Sequence, residues 1–393
     1  MRNQSRLKID ALALVRHPRV GMLPRIVVLI STHIVGGPAK GLLQVIPELR
    51  KRGRFEVMLC TFANTKERDS PFLVACRERG IRVVVLRQRY HWDLAPITVL
   101  RGLLLERFGS LLQTHGYKES VFGLILRRMT GRPWIAFLHG TTEENLKVRL
   151  YHRLNKALVS YADAIVSVSR ELADRTVPPR QRRKLIIIEN AVEVMSPAAL
   201  VRTQPVRNAG EAKDWVIGCI GRLSHEKGQA LLLEAAGRLV RQGATFTLVF
   251  AGDGPDRELL LAKAQGEGVG PHARFLGHVK HMDELYACLD MLVLPSFKEG
   301  MPNVILEAMQ WQLPIVSTSV GAVPEMLVHG VSALLVRPGD AMALARAIAT
   351  LMGDREKAVR MGHKAHAVLY PRFSPEKRVE RFEALYGRVL EAV

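Results

Sequence analysis

The chain has few cysteines, and their spacing argues against two common kinds of site. The four cysteines lie far apart and include no C-x-x-C pair: Cys60, Cys76, Cys219 and Cys288. Disulfide-stapled small folds and zinc sites both depend on closely spaced cysteines, so neither is indicated. Scattered thiols fit a reducing compartment, and we expect a cytoplasmic protein.

Long apolar runs are also missing. No stretch approaches the roughly 20 apolar residues that a membrane-spanning helix needs. Residues 11–15 are apolar, but Arg16 and His17 end this run before it reaches the length of a signal-peptide core. The sequence therefore predicts neither a membrane span nor a secretion signal, and we interpret residues 1–23 as a basic N-terminal extension.

Acidic residues are scarce in the first half of the chain. The whole sequence carries 57 Lys and Arg against 37 Asp and Glu, a net charge of +20. Residues 1–195 hold 34 basic and 16 acidic residues, or +18, whereas residues 196–393 hold 23 and 21, or +2. Such a basic half predicts an anionic partner, either nucleic acid or an anionic membrane leaflet, unless it is only a solvated basic surface.

Aromatic residues make up only 6% of the sequence, which argues against a nucleic-acid-binding protein. Single-stranded nucleic acids are bound on aromatic stacking platforms, and no RNP, helix-turn-helix or zinc-finger pattern is present. We therefore expect no nucleic-acid partner. Salt-sensitive binding to DNA that exceeds binding to anionic liposomes would favour the opposite interpretation.

Clustered basic side chains predict that the first half docks peripherally on the inner face of the plasma membrane. The clusters are Arg50, Lys51, Arg52 and Arg54, together with Arg77, Arg79, Arg82, Arg87 and Arg89. Four hydrophobic side chains interleaved with them could insert at the interface, although some of the four must belong to the core: Phe55, Phe72, Tyr90 and Trp92. Only clustered charges can contribute, because the field of an anionic surface decays within about 10 Å at physiological salt.

Short apolar runs alternate with helical patterns along the chain. At 393 residues the sequence is too long for one ordinary core, and two domains of similar size are expected. The alternation begins near Arg25, and it is typical of doubly wound parallel sheets in α/β domains. We predict domains over 24–195 and 215–374, a linker over 196–214, and a final helix over 375–393.

The segment 295–309, PSFKEGMPNVILEAM, holds two carboxylates eight residues apart around a predicted helix start. Glu299 lies in a loop, Pro302 suits the first turn of a helix, and Glu307 lies within that helix. The helix N-terminus can receive an anion, and each carboxylate can accept hydrogen bonds from a hydroxyl-bearing ring. That combination suggests a nucleotide sugar.

Two other loops supply groups suited to a diphosphate. Arg222 and Lys227 follow one predicted strand and precede a helix, so two cations would converge beside helix N–H groups. Gly36 and Gly37 follow the first strand, where they either let the backbone approach a phosphate or sugar or simply form a tight turn. All four should face a cleft at the carboxyl ends of the sheets.

These motifs, in this order, resemble the retaining GT-B glycosyltransferases of family 4, the glycosyl transferases group 1. Glu299 and Glu307 match the Glu-x7-Glu signature of that family. Further matching segments follow in order along the chain: GGPAKGL, FLHG, VSVSREL, ENAV, GRLSHEKG, AGDGP, FLGHV and GAVPEML. The resemblance spans roughly residue 24 to the end. It implies two Rossmann-like domains facing a central cleft, with the last helix crossing back to the first domain.

The resemblance also implies roles for individual residues. Glu299 would bind hydroxyls of the transferred sugar, Glu307 the ribose hydroxyls, and His139 would lie near the anomeric carbon. The phosphates would lie near Gly300, Met301, Pro302, Asn303 and Val304, and the base near Gly277, His278 and Val279. Apart from the resemblance, His115 and Lys118 lie at another predicted strand end of the first domain, where they could contact the acceptor or the donor.

The implied reaction transfers a hexose, with retention, from a nucleotide diphosphate sugar such as a UDP- or GDP-sugar to a glycan or lipid-linked acceptor in bacterial surface polysaccharide or lipopolysaccharide synthesis. The sequence contains no D-x-D motif ahead of a short strand and no clustered His or Cys ligands, so we expect neither a metal ion nor another cofactor. Arg222, Lys227 and helix dipoles would then neutralise the departing diphosphate. A nucleotide-sugar epimerase of similar fold is the alternative, but the sequence does not identify the extra acid and base residues it would need.

Overall fold

The computed structural model describes residues 23–63, 70–90, 93–107, 109–139, 154–193, 195 and 215–392. Nearly all of the predicted N-terminal extension, the whole predicted linker and Trp92 lie outside the described residues.

The first unit is a seven-stranded parallel sheet with helices packed against it. Its strands are β1 Arg25–Ile30, β2 Glu56–Ala63, β3 Val83–Arg87, β4 Leu111–His115, β5 Trp134–Leu138, β6 Ala164–Ser167 and β7 Leu185–Ile187. Its helices include α1 Gly37–Arg52, α2 Pro71–Glu78, α3 Pro96–Leu105, α4 Tyr117–Thr130 and α5 Arg170–Thr176. The strand order is β3-β2-β1-β4-β5-β6-β7, so the order reverses between β1 and β4.

The second unit repeats this design with six parallel strands. They are β8 Trp215–Ile220, β9 Phe246–Ala251, β10 Ala273–Gly277, β11 Met291–Leu294, β12 Ile315–Thr318 and β13 Leu334–Val336. Its helices include α6 Gln229–Arg241, α7 Arg257–Gly266, α8 Met282–Cys288, α9 Asn303–Gln310, α10 Val323–Met326, α11 Ala341–Gly353 and α12 Arg355–Ala367. The order β10-β9-β8-β11-β12-β13 reverses between β8 and β11. In open α/β sheets such reversals mark where ligands bind.

Strand β1 shows why the continuous apolar runs lie at the centre of the sheets. Each residue of RIVVLI is at most 3% exposed, because helices cover both faces of the sheet. Arg25 is tolerated there because its Nε donates to Glu56 at 2.8 Å. Such strands need no alternation of apolar and polar residues.

The last two helices connect the second unit back to the first. Helix α13, Leu369–Phe373, leads into α14, Pro375–Glu391, whose first turn is capped by the Ser374 hydroxyl. Helix α14 packs against α1, and its apolar face belongs to the core of the first unit: Val379, Phe382, Leu385, Tyr386 and Val389. Within the described part of the chain, no helix has both the length and the apolar character that crossing a bilayer requires.

Candidate active site

Glu299 and Lys227 form an ion pair at the carboxyl edge of the second sheet. Glu299 lies between β11 and α9, and Lys227 reaches it from the loop between β8 and α6. The Lys227 Nζ donates to both carboxylate oxygens, at 2.7 and 2.9 Å, and the Ser296 hydroxyl donates at 2.7 Å. The Glu299 side chain is 6% exposed, so the charge of Lys227 stabilises a nearly buried carboxylate. The predicted sugar-binding acid therefore directly contacts one predicted diphosphate cation.

The loop that carries Arg222 and Lys227 packs closely on the loop that carries Glu299. Arg222 lies exposed at its start. At its end Gly228 has a φ of 67°, and a Cβ there would lie 2.1 Å from the Pro295 carbonyl oxygen. A side chain at this position would push the two loops apart, so Gly228 is required for the approach of Lys227 to Glu299.

Glu307 receives hydrogen bonds from both units. One carboxylate oxygen accepts from the Tyr286 hydroxyl of α8 at 2.6 Å, and the other accepts from Nζ of Lys40 on α1. Burial, followed by the charge of Glu307, raises the pKa of Tyr286 well above its ordinary value, so its hydroxyl remains a donor. The sequence analysis missed both partners. Lys40 lies in the first turn of α1, three residues after Gly37. Its closeness to the glycine pair was the sequence signal that could have indicated it as a site residue.

Gly36 and Gly37 begin α1 opposite the start of α9. Gly36 is the N-cap with an extended backbone, φ −80° and ψ −177°, and neither glycine has a positive φ. A Cβ on Gly36 would meet no atom within 4 Å, and one on Gly37 only the Asn303 amide nitrogen, at 3.8 Å. Backbone strain therefore does not require these glycines. They leave open space between two helix N-termini, where a phosphate or a sugar is suitably placed.

The start of α9 is held by Asn190 from the ENAV segment. The Asn190 side-chain amide donates to the Met301 carbonyl at 3.0 Å and to the Asn303 side chain at 2.9 Å. Pro302 is the N-cap of α9, one position before the first helical turn that we predicted for it. Asn190 was quoted within a motif but was not predicted as a site residue, and no local pattern marks it.

Other predicted residues of this segment have structural partners. The Gly300 carbonyl accepts from the Ala322 N–H at 2.8 Å, and Val304 packs against a core cluster of the second unit. Gly321 has a φ of 56°, and a Cβ there would lie 2.4 Å from the Glu299 carbonyl oxygen. The GAVPEML segment therefore supports the backbone of the Glu299 loop.

Gly277, His278 and Val279 lie at the carboxyl end of β10. The Gly277 carbonyl accepts from the Gly252 N–H at 2.8 Å, His278 is exposed, and Val279 packs against the core. Helix α8 follows directly and carries Tyr286, the partner of Glu307. These three residues therefore lie just before helix α8, whose Tyr286 donates a hydrogen bond to Glu307, the carboxylate predicted to bind ribose.

His139 and His115 form a hydrogen-bonded pair at the carboxyl edge of the first sheet. His115 ends β4 and His139 follows β5, and the His115 Nδ1 lies 2.8 Å from the His139 Nε2. Burial, together with the charge of Arg378, lowers the pKa of His139 to about 4. Burial, His139 and Arg378 lower the pKa of His115 well below its ordinary value. Both rings are therefore neutral at pH 7.

Lys118 has different partners from this histidine pair. Its Nζ donates to the Gln88 side chain at 2.5 Å and lies 4.3 Å from the centre of the Phe62 ring. Burial lowers its pKa. The structure therefore places Lys118 on the side of β2 and β3, and neither His115 nor His139 is among its partners.

Two further motif segments meet between the units. The Glu325 carboxylate accepts from the backbone N–H groups of Arg170 at 3.3 Å and Glu171 at 3.0 Å, at the start of α5. Glu189 accepts from Arg372 Nε at 3.0 Å and Arg381 at 2.6 Å. These contacts fix the position of the two sheet edges relative to one another.

Among the described residues, no group of three or more His, Cys, Asp or Glu side chains is arranged to hold a metal ion. The charged groups of the cleft described above include the two carboxylates, the lysines bound to them, and Arg222.

Two family models match the chain. The glycosyl transferase 4-like domain matches residues 36–190, and the glycosyl transferases group 1 model matches residues 214–354. Together they include all of the predicted site residues described above.

Two curated relatives match over most of their length. The chain is 28% identical over 389 residues to the 2-deoxystreptamine N-acetyl-D-glucosaminyltransferase of Streptomyces fradiae, covering 90% of this chain and 92% of that protein. It is 27% identical over 335 residues to the lipopolysaccharide core biosynthesis mannosyltransferase LpcC of Rhizobium leguminosarum bv. viciae, covering 81% and 91%.

A solved structure shares the fold over nearly the whole chain. The crystal structure of Anabaena HepE in complex with UDP-glucose superposes with a TM-score of 0.78 at 23% identity, covering 94% of this chain and 100% of that one. The predicted GT-B fold is thereby confirmed. From the two family models and the shared fold, the protein belongs to the family 4 type of group 1 glycosyltransferases, and it has the GT-B fold.

Proposed function

We propose that the enzyme moves a hexose from a nucleotide diphosphate sugar to a glycan or lipid-linked acceptor, with retention of configuration and without a metal ion. The observation that carries this proposal is the convergence on one cleft of two carboxylates, their lysine partners and two helix N-termini. The structural neighbour HepE was crystallised with UDP-glucose, which supports a nucleotide sugar as donor.

The nucleoside would bind at the second unit. Glu307 would accept hydrogen bonds from the ribose hydroxyls while Tyr286 holds one carboxylate oxygen in place. Lys40 is bound to the other oxygen, so the ribose must share that oxygen or displace Lys40. Gly277, His278 and Val279, which precede the helix of Tyr286, would border the base.

The diphosphate would lie between the two helix N-termini. Backbone N–H groups in the first turn of α1, those of Gly37 and Ala39 on either side of Pro38, and in the first turn of α9 supply fixed positive dipoles. Arg222 and Lys227 add two cations from the adjacent loop. In a cleft that excludes water, such groups stabilise the charge that develops on a departing diphosphate without any need for a metal ion.

The transferred sugar would lie between Glu299 and His139. Glu299 would accept from sugar hydroxyls, and the neutral His139 would contact the sugar near its anomeric carbon. The bond from the anomeric carbon to the diphosphate oxygen breaks, and a bond to the acceptor oxygen forms on the same face. We assign no protein base, because the departing phosphate oxygen can take the proton of the acceptor hydroxyl.

A donor screen tests the reaction directly. One nucleotide sugar should raise the melting temperature of the full chain and support transfer, and proton NMR of the product should show the anomeric configuration of the donor. Activity should survive excess EDTA. Inversion at the anomeric carbon, or loss of activity in EDTA with rescue by magnesium or manganese, would contradict the retaining or the metal-free part of the proposal. Release of an epimerised nucleotide sugar without transfer would instead support the epimerase alternative.

We also propose that the first unit docks on an anionic cytoplasmic membrane surface, which would bring the cleft to a lipid-linked acceptor. The docking edge consists of β3 and α3 with their flanks. Its exposed apolar side chains are Val85, Tyr90, Leu94 and Val99, which are 43%, 65%, 46% and 40% exposed. Exposed basic side chains lie on the same segments of the chain: Arg82, Arg87, Arg89 and Arg101. Exposed apolar side chains interspersed with cations are suited to an anionic lipid interface.

Two of the four hydrophobic side chains considered for this surface belong to the core. Phe55 and Phe72 are 6% and 0% exposed and belong to the core of the first unit, so neither can insert into lipid. Arg52 and Arg54 face Glu383 of α14, at 3.1 and 3.7 Å, which offsets part of their charge.

Vesicle co-sedimentation of the full chain tests the docking edge. Binding should require anionic lipid, should fall as salt rises, and should weaken in the double variant Arg82→Glu, Arg89→Glu. Arg346→Glu on α11, an exposed charge reversal in the second unit, is the matched control. Equal binding to neutral vesicles, or equal loss of binding in the control, would contradict docking through this edge.

A further inference from the structure

A buried chain of hydrogen bonds joins the last helix to His139. Tyr386 of α14 donates from its hydroxyl to the Gln113 side-chain oxygen at 2.7 Å. The Gln113 amide nitrogen lies 2.7 Å from the His115 Nε2, and the His115 Nδ1 lies 2.8 Å from the His139 Nε2. Tyr386 and Gln113 are 1% and 0% exposed, so water does not compete for these bonds.

The direction of the donors along this chain follows from the chemistry of each group. Gln113 accepts from Tyr386 through its oxygen, so its NH2 group faces His115 and must donate to Nε2. A neutral His115 then carries its proton on Nδ1 and donates it to the Nε2 of His139. Neutral His139 must therefore carry its own proton on Nδ1, which has no hydrogen-bond partner among the described residues.

The opposite order of donors and acceptors along these hydrogen bonds is disfavoured because the Tyr386 hydroxyl would lose its acceptor. If the Gln113 amide were reversed, its NH2 group would donate to the tyrosine oxygen, and the hydroxyl proton of Tyr386 would need another acceptor. The described residues provide none. A buried hydroxyl donor without an acceptor is costly, so the observed direction is the stable one.

Helix α14 supplies two more contacts to the same pair from the same face. Residues 378, 382 and 386 are spaced by four and therefore lie along one side of the helix. The Phe382 ring stacks on Phe137 at 5.5 Å, and Phe137 stacks on His115 at 4.5 Å. Arg378 is 7% exposed and places a positive charge near both histidines, which disfavours their protonation. Helix α14 thus supports the ring position and the tautomer, and its Arg378 adds to the effect of burial in keeping both rings neutral.

We propose that Tyr386 is a positioning residue of the transferase site, which acts through Gln113 and His115 to hold His139 as the neutral ring with its proton on Nδ1. That N–H is then the donor available to a hydroxyl or ring oxygen of the transferred sugar. The catalytic contact in this inference rests on the proposed function, whereas the tautomer does not. The C-terminal helix therefore takes part in the site through Tyr386, which is buried and acts through other residues.

The tautomer can be measured by nitrogen NMR of the full chain labelled at its histidines. Long-range proton–nitrogen spectra at pH 7 distinguish a protonated Nδ1 from a protonated Nε2, and His115→Gln and His139→Gln assign the signals. Both histidines should be neutral, with the proton on Nδ1. A proton on Nε2 of either ring in the unmodified protein would overturn the proposal, whatever reaction the enzyme catalyses.

Tyr386→Phe tests whether the chain of hydrogen bonds from Tyr386 to His139 matters for sugar transfer. Without the hydroxyl donor the Gln113 amide can take either orientation, so both histidines should show a mixture of tautomers. The kcat should fall about tenfold, while the KM for the nucleotide sugar should change less than about twofold. Gln113→Leu should have the same effects on the histidine signals and kcat. Tyr370→Phe on α13 is the matched control. Tyr370 lies outside this chain of hydrogen bonds, so the variant should change neither the histidine signals nor kcat.

The two readouts separate this inference from the proposed function. If the tautomers shift while kcat is unchanged, or kcat falls while the tautomers are unchanged, Tyr386 does not act in this way and the proposal is overturned. If no nucleotide sugar is a donor, the proposed function fails even when the tautomers are as expected. Thermal unfolding of each variant confirms that it is folded before either readout is used.

Discussion

Replacing Lys227 by Met should separate the structural role of this lysine from the role in catalysis that we propose for it. Methionine keeps much of the apolar stem but removes both hydrogen bonds to Glu299, at 2.7 and 2.9 Å. The carboxylate, 6% exposed, is then left with the Ser296 hydroxyl at 2.7 Å. Breaking a buried ion pair by removing one partner typically costs 3–5 kcal/mol. Because the Lys227 side chain is 27% exposed, solvent screens the pair, and we expect about 1–3 kcal/mol.

The double variant Lys227→Met, Glu299→Gln gives the decisive comparison. Glutamine removes the unpaired charge and can still accept from Ser296, so most of the lost stability should return. The cation for the diphosphate remains absent, so kcat should stay roughly 10²- to 10³-fold below that of the unmodified enzyme, the usual cost of losing one preorganised charge-stabilising group. Stability should therefore recover while activity does not.

Calorimetric unfolding and steady-state transfer assays measure the two effects. Each kcal/mol should move the melting temperature by about 2–4 °C for a domain of this size. Lys263→Met is the matched control, because Lys263 pairs with Glu267 one turn along the surface of α7, at 3.3 Å, and should cost at most about 0.5 kcal/mol. Unchanged stability in Lys227→Met would refute the ion-pair argument, and recovered transfer in the double variant would refute the diphosphate role.

Other predictions follow from the same geometry. Glu307→Gln should weaken nucleotide-sugar binding about tenfold to a hundredfold, because a charge-assisted hydrogen bond is worth roughly 1.5–3 kcal/mol, and Tyr286→Phe should weaken it less. Calorimetric titration checks both, and unchanged affinity in Glu307→Gln would remove this residue from the donor site. Arg222→Ala should weaken binding similarly while leaving the melting temperature within about 2 °C, because its side chain is exposed. Acidification should destabilise the protein through His139. Its folded pKa of about 4 lies below the ordinary value of 6.5, so the unfolded chain binds more protons between these values and stability falls as the pH drops through that window. Burial raises the pKa of Glu119 to about 7, which acts in the opposite sense, so unfolding of His139→Gln, which retains Glu119, is the reference. An unchanged pH dependence in that variant would contradict the lowered pKa.

The sequence alone determined the fold class and the loops that form the cleft. Buried parallel strands need continuous apolar runs, and loops at their carboxyl ends need glycine, proline and polar residues, so RIVVLI and the Glu299 segment could be recognised locally. Local pattern also indicated that Arg222, Lys227 and Glu299 lie at such ends and that Glu307 lies in the helix that follows Glu299. Their roles in the proposed reaction came from the resemblance and stay predictions.

The local sequence pattern did not predict the burial or the hydrogen-bond partners of a residue where these depend on distant parts of the chain. Phe55 and Phe72 stand beside basic residues in the sequence, yet both side chains point into the core. Gln113 lies in an apolar run and gave no sign that it links Tyr386 to His115. Nothing near Asn190 indicated that it holds the start of α9.

Only the tertiary structure decided which charged and polar groups meet. Lys40 pairs with Glu307, 267 residues later, and Tyr386 bonds to Gln113, 273 residues earlier. Periodicity and propensity specify which side of an element is buried, and they act over one or two turns of chain. The meeting of two sheet edges depends on the strand order, on the packing between the units and on the return of α14 to the first unit. These depend on contacts between residues hundreds of positions apart, which no local pattern encodes.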